Sequence, residues 1–257
     1  MAIVNVTPDS FSDGGDRYDK TQAITDGLRF VDQGADFVDV GGESTRPGSA
    51  ETSPGEELRR VLPVVEGLAR RGAVVSIDTR RAPVARACLD AGARIVNDVS
   101  ALRDDPAMRN LIVERSASLV LMHRRGVSHE DYEGAAYGDV VEDVRTFLVE
   151  RAEACAAAGI DRQQIALDPG IGFGKNVAEN LRLIAEIGRL ADAGYPVLVG
   201  SSRKGFIGKL TGLASPRDRD PASVWLAIEA VRRGASIVRV HNVAMTRQAL
   251  AVATAMG

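Results

Sequence analysis

Cysteine, tryptophan and long apolar runs are scarce in this sequence, and each scarcity excludes a class of protein. The 257 residues include two cysteines, Cys88 and Cys155, neither in a C-x-x-C pair, so we expect no zinc or redox motif. No window approaches the roughly eighteen consecutive apolar residues of a membrane-spanning helix. No basic segment followed by an apolar one opens the chain. We therefore expect a cytoplasmic protein that does not associate with membranes.

An excess of charge of one sign is lacking too. The formal net charge is −3 at pH 7, and Lys and Arg are scattered through the helical patterns. This argues against a nucleic-acid-binding protein and indicates that any anionic partner is a small molecule. A length of 257 residues with 45% hydrophobic residues fits one domain, which we expect to span residues 1–257.

What the sequence does contain is a repeat of short β-branched runs and amphipathic helical patterns. The predicted strands are residues 2–6, 36–40, 73–78, 94–98, 118–122, 164–168, 196–200 and 236–241. The predicted helices are residues 19–33, 54–71, 81–91, 105–115, 139–158, 176–193, 221–233 and 243–256. Eight βα units in a chain of this length favour a closed (β/α)8 TIM barrel, an α/β fold with a single domain. An open doubly wound sheet fits less well, because no nucleotide-binding fingerprint follows the first strand.

Polar residues gather where the predicted strands end, which in a TIM barrel is the mouth that carries the chemistry. The strand ends supply Asn5, Asp39, Asp78, Asn97, Asp98, His123, Asp168, Ser202, Lys204, Arg239 and His241. Alternation along the strands turns Asp78, Asp168 and Arg239 inward, because their neighbours are apolar. Charges inside a barrel are costly to desolvate unless they pair with each other or with a ligand. A ligand site and a self-contained ion-pair network are both open at this point.

The mixture of side chains favours a ligand with two different ends. Carboxylates and amides such as Asp78, Asn97 and Asp168 accept hydrogen bonds from the ring NH and amino groups of a flat heterocycle. The candidate cations for a phosphate or diphosphate are Arg46, Lys204, Arg239 and His241. Asn5 offers a neutral oxygen ligand to a Mg²⁺ ion carried in by a diphosphate.

Two loops with paired glycines follow the first two predicted strands and therefore lie over the same mouth. They contain Phe11 and Asp13 in the first loop, and Arg46 and Pro47 in the second. Asp13 and Arg46 are placed to reach the reacting centre, while Phe11 and Pro47 offer walls for a second, aromatic substrate. We interpret both loops as lids, and ordinary exposed turns are the alternative.

Successive blocks of the sequence resemble the dihydropteroate synthase family of the folate pathway. The blocks are NVTPDSFSDGG, VDVGGESTRPG, SIDT, NDVS, LMH, LDPGIGFGKN, SSRKGFIG and RVHNV, which together extend over almost the whole chain. The resemblance implies a TIM barrel that joins (7,8-dihydropterin-6-yl)methyl diphosphate to 4-aminobenzoate and releases pyrophosphate. It also implies Mg²⁺, a homodimer, and sensitivity to sulfonamides, which mimic the aminobenzoate.

The resemblance further implies roles for the positions that match the family's blocks. The pterin contacts are expected to be Asp78, Asn97, Asp168, Lys204 and Arg239. The diphosphate contacts are expected to be Asn5, Thr45, Arg46, Arg239 and His241, with Asn5 also at the metal. The aminobenzoate contacts are expected to be Phe11, Pro47 and Ser202. The expected catalytic residues are Asp13, Arg46 and Lys204.

The chain departs from the family pattern in three places. Gly205 stands where many members carry a side chain, which bears on the shape of the aminobenzoate pocket and on drug sensitivity. Asn242 follows His241 where Asp is usual. The first strand opens the chain without the customary preceding segment, so we expect the barrel floor to be less covered.

Two other classes of protein share part of this pattern. A methyltetrahydrofolate-to-corrinoid methyltransferase would share the ring-binding acids, but Arg46, Arg239 and His241 argue against it. A non-catalytic pterin-binding paralogue would not need Asp13 and Arg46 over the mouth. His123 is either a wall residue or a ligand, and Trp225 is expected to pack its helix against a neighbour.

Overall fold

The described part of the chain contains eight short parallel β-strands. The computed structural model describes residues 1–7, 16–44, 51–125 and 137–256, without the side chains of residues 16–19. The strands are β1 (Ala2–Asn5), β2 (Val38–Gly41), β3 (Val75–Asp78), β4 (Ile95–Asp98), β5 (Ser118–Met122), β6 (Ile165–Asp168), β7 (Leu198–Val199) and β8 (Ile237–Val238). All eight predicted strands are confirmed, with most shorter by one or more residues at their ends.

These strands form a closed ring. Strands β1 to β6 make one sheet in sequence order, and β7 pairs with β8. Isolated parallel bridges join Ala2 to Val240 and Leu167 to Val197, and so connect the two sheets at both seams. The N–H of Ile3 donates to the carbonyl of Val240 at 3.0 Å, and that of Leu167 donates to the carbonyl of Pro196 at 2.8 Å. The predicted TIM barrel is therefore confirmed.

Helices surround the ring and account for most of the remaining chain. They are α1 (Asp16–Asp32), α2 (Pro54–Ala69), α3 (Ala82–Asp90), α4 (Ala107–Arg115), α5 (Val140–Ala157), α6 (Val177–Ala185), α7 (Gly188–Ala191), α8 (Gly205–Thr211), α9 (Asp220–Arg232) and α10 (Val243–Met256). The predicted helix 176–193 is wrong as a single element, because the backbone leaves helical geometry at Glu186, where φ is −110° and ψ is 23°. Helix α8 is absent from the prediction, since its segment GFIGKLT reads as a glycine-containing loop.

Several helices begin where the sequence supplies a side-chain cap. Asn176 and Glu179 form a reciprocal capping box at the start of α6, with N···O distances of 2.9 Å and 2.7 Å. The Asp139 carboxylate accepts from the N–H of Val141 at 3.0 Å at the start of α5. Such caps satisfy amide donors that the first helical turn leaves unpaired.

Apolar side chains separate into two layers on either side of the strands. Ile77, Val96 and Leu167 belong to the large core between the strands and the helices. The barrel interior holds a small apolar cluster at its base, formed by Met1, Ile95, Val120, Ala166 and Leu198. The predicted alternation is confirmed, because inward and outward residues alternate along the strands. The base cluster leaves the upper interior to polar groups.

The end of the barrel opposite the mouth contains a cavity of about 210 Å³. Its walls include Phe37, Val238, Val243 and Leu250. The Met1 ammonium is buried beside it and donates to the carbonyl of Val238 at 3.0 Å. The cavity is remote from the strand ends that carry the predicted site residues, so it is a separate feature of the fold.

One packing expectation is wrong. Trp225 lies on α9 with 62% of its surface exposed, rather than between this helix and a neighbour. The two cysteines are free and buried. Among the described residues, no helix is long and apolar enough to cross a membrane. The cytoplasmic location and the extent of the domain over residues 1–257 stay predictions.

Two glycines with left-handed backbone geometry provide a test of close packing at the mouth. Gly170 has φ +67°, and a Cβ there would lie 1.8 Å from the carbonyl oxygen of His123. Gly72 has φ +83°, but no described heavy atom lies within 4 Å of its ideal Cβ. We expect Gly72→Ala to cost about 1–2 kcal/mol from backbone strain alone. Gly170→Ala should cost at least about 2 kcal/mol more, because the backbone must also move.

The measurement is urea-induced unfolding followed by circular dichroism for both variants and the unchanged protein. Equal losses of unfolding free energy in the two variants would show that the contact with His123 is unimportant.

Candidate active site

An ion-pair cluster occupies the upper interior of the barrel. The Nε of Arg239 donates to Asp39 Oδ2 at 2.6 Å, and its Nη2 donates to Asp78 Oδ2 at 2.9 Å. The side-chain amide of Asn97 donates to the same Asp39 oxygen at 3.1 Å. Three of the predicted pterin contacts, Asp78, Asn97 and Arg239, therefore meet around one buried carboxylate.

Asp39 is a site residue that the sequence analysis placed at a strand end without giving it a role. It is fully buried, and its Oδ1 has no hydrogen-bond partner among the described residues. The hydroxyl of Ser76, its register partner on β3, is also buried and lacks a partner in the same part of the chain. Buried polar atoms normally find partners, so these two atoms leave hydrogen-bonding capacity for a ligand or water. The sequence signal for Asp39 was the alternation along β2, which turns this side chain to the barrel interior.

Strand register sets a second polar layer above Asp39. Asn5 is aligned with Gly41, Gly41 with Asp78, and Asp78 with Asn97. Because Gly41 has no side chain, it leaves a gap between Asn5 and Asp78 at the same height. A Cβ on Gly41 would lie 3.5 Å from the Cβ of Asp78 and 3.8 Å from Oδ1 of Asn5. The amide and the carboxylate therefore border one space.

Asp168 and Lys204 complete the charged set at the mouth. Asp168 is 6% exposed, and its Oδ1 accepts from the N–H of Gly170 at 2.7 Å. Lys204 precedes α8, and its ammonium lies 4.0 Å from the centre of the Phe173 ring. Burial raises the pKa of Asp168, while the Gly170 N–H and the Lys204 and Arg239 charges oppose that rise. The charges of Lys204 and Arg239 therefore both act on the Asp168 carboxylate.

Burial also acts on Asp78, whose pKa rises to about 7. Arg239 opposes the rise by stabilising the carboxylate, and Asp39 adds to it by repulsion. The cluster therefore contains a carboxyl group that changes charge near neutral pH, next to a guanidinium that remains charged.

His241 and Ser202 form a neutral pair at the rim. The Ser202 hydroxyl lies 2.9 Å from Nδ1 of His241 and accepts from the His241 backbone N–H at 3.2 Å. Burial lowers the pKa of His241 to about 3, and the Arg203 and Arg239 charges contribute. The grouping of His241 with the cations is thus corrected, since this imidazole is uncharged at neutral pH. It offers a phosphate a hydrogen bond rather than a charge.

The Asn242 departure has a local explanation. Arg203 binds both oxygens of Asp220, at 2.6 Å and 2.8 Å, and the Asn242 amide donates to Asp220 Oδ2 at 3.0 Å. Asn242 Oδ1 also accepts from the N–H of Met245 at the start of α10, at 3.1 Å. An Asp at this position would place a second carboxylate beside Asp220, whereas the amide supplies a donor.

After β2, Arg80 and Arg81 form ion pairs with residues on both sides of positions 45–50. Glu43 accepts from Arg81 at 3.0 Å and 3.1 Å and from Arg80 at 3.3 Å. Glu51 accepts from the same two arginines, at 2.6 Å from Arg80 and 3.2 Å from Arg81. Burial opposes ionisation of Glu43, but the Arg81 guanidinium keeps the pKa of Glu43 below its usual range. Residues before and after positions 45–50 are therefore fixed to the rim.

Some predicted site residues lie outside the described residues. They are Phe11, Asp13, Thr45, Arg46 and Pro47. Their roles stay predictions, as do the ligand contacts assigned to the described residues. His123 proves to be a buried wall residue at the end of β5, edge-on to Phe147 at 5.1 Å between ring centres.

Comparisons with known proteins identify the family of the chain. The family model described as pterin binding enzyme matches residues 1–241. The dihydropteroate synthase of Mycobacterium leprae (strain TN) is 47% identical over 258 residues, covering 98% of this chain and 91% of that protein.

Two solved structures are similar throughout the chain. The dihydropteroate synthase of Xanthomonas albilineans with 4-aminobenzoic acid has a TM-score of 0.94 and 47% identity, covering 100% of this chain and 92% of that one. The Yersinia pestis dihydropteroate synthase with a sulfonamide drug complex has a TM-score of 0.93 and 41% identity, covering 100% and 93%.

Fold, site and matches together define a pterin-binding enzyme built on a TIM barrel. Within that class, the chain belongs to the dihydropteroate synthase family. Its activity is accordingly a transferase reaction of folate biosynthesis. The corrinoid methyltransferase hypothesis is wrong, and so is that of a non-catalytic paralogue.

The pKa of Asp78 predicts a pH-dependent stability difference. A carboxyl group with a raised pKa binds a proton in the folded state before it does in the unfolded state, so stability falls as pH rises from about 4 to about 7. Asp78→Asn removes this contribution. We expect the variant to gain about 1–3 kcal/mol relative to the unchanged protein between about pH 4 and pH 8.

Urea unfolding at both pH values measures the difference, and exposed Asp192→Asn on the outer surface is the matched control. A stability difference for Asp78→Asn that does not vary with pH would contradict the assignment.

Proposed function

We propose that the chain joins (7,8-dihydropterin-6-yl)methyl diphosphate to 4-aminobenzoate, and that the diphosphate departs before the amine attacks. The observation that carries this proposal is the clustering of Asp39, Asp78, Asn97 and Arg239 in the barrel interior. The cluster supplies acceptors at depth, and the charge of its Arg239 acts on Asp168.

The pterin ring binds at the acidic end. Its ring NH and amino groups require acceptors, which Asp78, Asn97 and Asp168 provide from three different strands. Arg239 lies between two carboxylates that fix the plane of its guanidinium, so it presents a flat cationic surface to the heterocycle. Asp39 Oδ1 and Ser76 Oγ, which have no partner among the described residues, lie one layer deeper in the barrel than Asp78.

The diphosphate binds nearer the rim. Arg239 contributes charge, Asn5 contributes an amide, and the neutral His241 contributes a hydrogen bond, with Thr45 and Arg46 expected to add further contacts. Because bonds to charged donors are stronger than neutral ones, Arg239 and Arg46 dominate this end.

The donor set at the mouth fits a Mg²⁺ ion that arrives with the diphosphate. Among the described residues, no cluster of three His, Cys, Asp or Glu side chains is arranged to hold a metal. Asn5 supplies one neutral oxygen, which suits an ion that keeps several waters and binds mainly to phosphate. When bound, Mg²⁺ neutralises the charge that grows on the leaving diphosphate.

The chemistry proceeds in two stages. The bond between the methylene carbon and the diphosphate oxygen breaks, and the electron pair leaves with the diphosphate. The electron-rich pterin stabilises the resulting methylene cation, and Lys204 and Arg46 offset charge on the departing group. The aryl amine is unprotonated at neutral pH, so its nitrogen lone pair forms the new C–N bond once it is oriented. Asp13 either accepts the proton that the nitrogen loses once the C–N bond has formed, or stabilises the cation, in which case solvent water accepts that proton.

The 4-aminobenzoate contacts Ser202, and Phe11 and Pro47, which lie outside the described residues, are expected to add contacts to it. Gly205 begins α8 next to Lys204, and no described heavy atom lies within 4 Å of the position of a Cβ there. In the described part of the structure, a side chain at this position would therefore meet open space. Sulfonamides, as mimics of aminobenzoate, bind in the same place.

The reaction is tested by incubating the protein with the pterin diphosphate, 4-aminobenzoate and Mg²⁺, and following pyrophosphate and 7,8-dihydropteroate. Arg46→Ala should lower turnover at least about tenfold, because charge on the leaving group is less well neutralised. Exposed Arg232→Ala at the far end of α9 is the control. Absence of pyrophosphate release from the unchanged protein would overturn the proposal, and full turnover by Arg46→Ala would overturn the role of the second loop.

We also propose a homodimer that buries the exposed apolar residues of α9 and α10. Trp225 is 62% exposed, Val252 61% and Met256 72%. Large exposed apolar groups are characteristic of interfaces. Light scattering after size-exclusion chromatography should give twice the monomer mass, and Trp225→Gln should shift it towards the monomer. A monomeric unchanged protein would contradict this.

A further inference from the structure

The ammonium of Lys175 contacts a group of neutral acceptors at the mouth. It donates to the carbonyls of Gly170 at 2.9 Å, Phe173 at 3.1 Å and His123 at 3.3 Å, and lies 3.1 Å from Nδ1 of the His123 ring. It therefore connects the loop after β6 to the end of β5.

The acceptors of Lys175 are all uncharged. Burial lowers the pKa of Lys175 to about 7, while the Asp168 charge opposes this shift. Burial likewise lowers the pKa of His123 to about 2, with Lys175 contributing, so the ring accepts at Nδ1 as a neutral base. The residues that the structure describes give the Lys175 ammonium no carboxylate partner, and such burial is costly, which argues that its place is set by a need other than charge pairing.

One consequence of this arrangement reaches Asp168. The N–H of Gly170 donates to Asp168 Oδ1 at 2.7 Å, and the N–H of His123 donates to the Asp168 carbonyl at 2.9 Å. Lys175 holds the carbonyls of the same two residues, Gly170 and His123, to a single ammonium. It therefore fixes the turn that orients the Asp168 carboxylate.

A second consequence reaches Lys204. The carbonyl of Phe173 accepts from Lys175, and the ring of Phe173 lies 4.0 Å from the Lys204 ammonium. Gly172 lies against the Lys204 stem, where a Cβ would approach Cδ to 3.1 Å. The same loop thus determines where two predicted pterin contacts, Asp168 and Lys204, present their charges.

Asn180 supports the loop from its outer side. Its Oδ1 accepts from the N–H of Gly172 at 2.6 Å, and its amide donates to the Lys175 carbonyl at 3.0 Å. Asn180 on the outer side and Lys175 on the inner side therefore hold the loop through its own hydrogen bonds. Such preorganisation increases affinity by lowering the cost of ordering on binding.

We infer that Lys175 is a positioning residue for the pterin end of the site. This inference rests on the proposed function. Lys175 does not contact the reacting atoms, and it acts by holding the 169–175 loop so that Asp168 and Lys204 meet the pterin ring together. The alternative is a structural role alone, in which Lys175 stabilises the fold without affecting how well the pterin is bound.

The test compares Lys175→Met, which keeps the length of the side chain and removes its donors, with exposed Lys209→Met on α8. The dissociation constant of 6-hydroxymethylpterin is measured by calorimetry, and KM is measured for both substrates. We expect Lys175→Met to weaken pterin binding at least about tenfold and to raise KM for the pterin diphosphate. KM for 4-aminobenzoate should change less than about twofold, and Lys209→Met should leave all values unchanged.

Two further variants separate positioning from stability. Leu68→Ala removes a buried side chain on α2, a helix that packs on β2 and β3, and lowers stability away from the 169–175 loop. If its pterin affinity falls as much as that of Lys175→Met at equal loss of stability, the inference is overturned. Lys175→Gln keeps two amide donors and should bind pterin with intermediate affinity, and it decides the question if Lys175→Met does not fold. Native affinity in Lys175→Gln and Lys175→Met would also overturn it.

Failure of the inference and failure of the proposed function give different results in these binding measurements. Failure of the unchanged protein to bind 6-hydroxymethylpterin would count against the proposed function itself. Normal binding by the unchanged protein and by both Lys175 variants would refute only the positioning role.

Discussion

The arginine that bridges two carboxylates inside the barrel is the interaction on which the site depends. Arg239 directly follows β8, the last strand of the ring, whereas Asp39 and Asp78 belong to β2 and β3. Each of these charges is expensive to bury alone, and each is tolerated because the others are there. The barrel can therefore carry a charged interior above an apolar base, and the unmatched polar atoms of that interior form a binding site.

The ion-pair network of Arg239, Asp39 and Asp78 does not satisfy all of its own polar atoms. The sequence left open a ligand site and a self-contained network, and this observation favours the ligand site. Arg239 satisfies one oxygen of Asp39 and one of Asp78, but within the described ranges Asp39 Oδ1 and the Ser76 hydroxyl have no partners. A purely structural network would be expected to satisfy its buried members. The residual capacity, with a carboxyl group of raised pKa beside it, is what a hydrogen-bonding heterocycle can use.

Periodicity predicted the fold well, because parallel strands covered on both sides leave a strong signal in β-branched residues. The inward positions of Asp78, Asp168 and Arg239 followed from the same alternation. Helix α8 was missed because seven residues with two glycines carry too little periodicity. The break between α6 and α7 was missed because tertiary packing, rather than local propensity, determines it.

The contribution of Lys175 and the neutral state of His241 were beyond prediction for a different reason. Both depend on which backbone carbonyls and which charges meet in space, and residue type alone does not contain that information. His241 is a cation by composition only, since burial beside Arg203 and Arg239 removes its charge. Asn242 could likewise be explained only from the structure, in which its amide donates to Asp220.

The way the ring closes has a consequence for assembly. Six strands form one continuous sheet, but β7 and β8 contain two residues each and meet the rest through isolated bridges. Lys204 and Arg239 both belong to this last quarter of the chain. The site is thus completed only when the final segment docks, so a chain that has formed six strands still lacks the groups that make it functional. A substrate that contacts both the early and the late segments would stabilise the pairing between the two sheets. Its binding free energy would add directly to the stability of the folded chain.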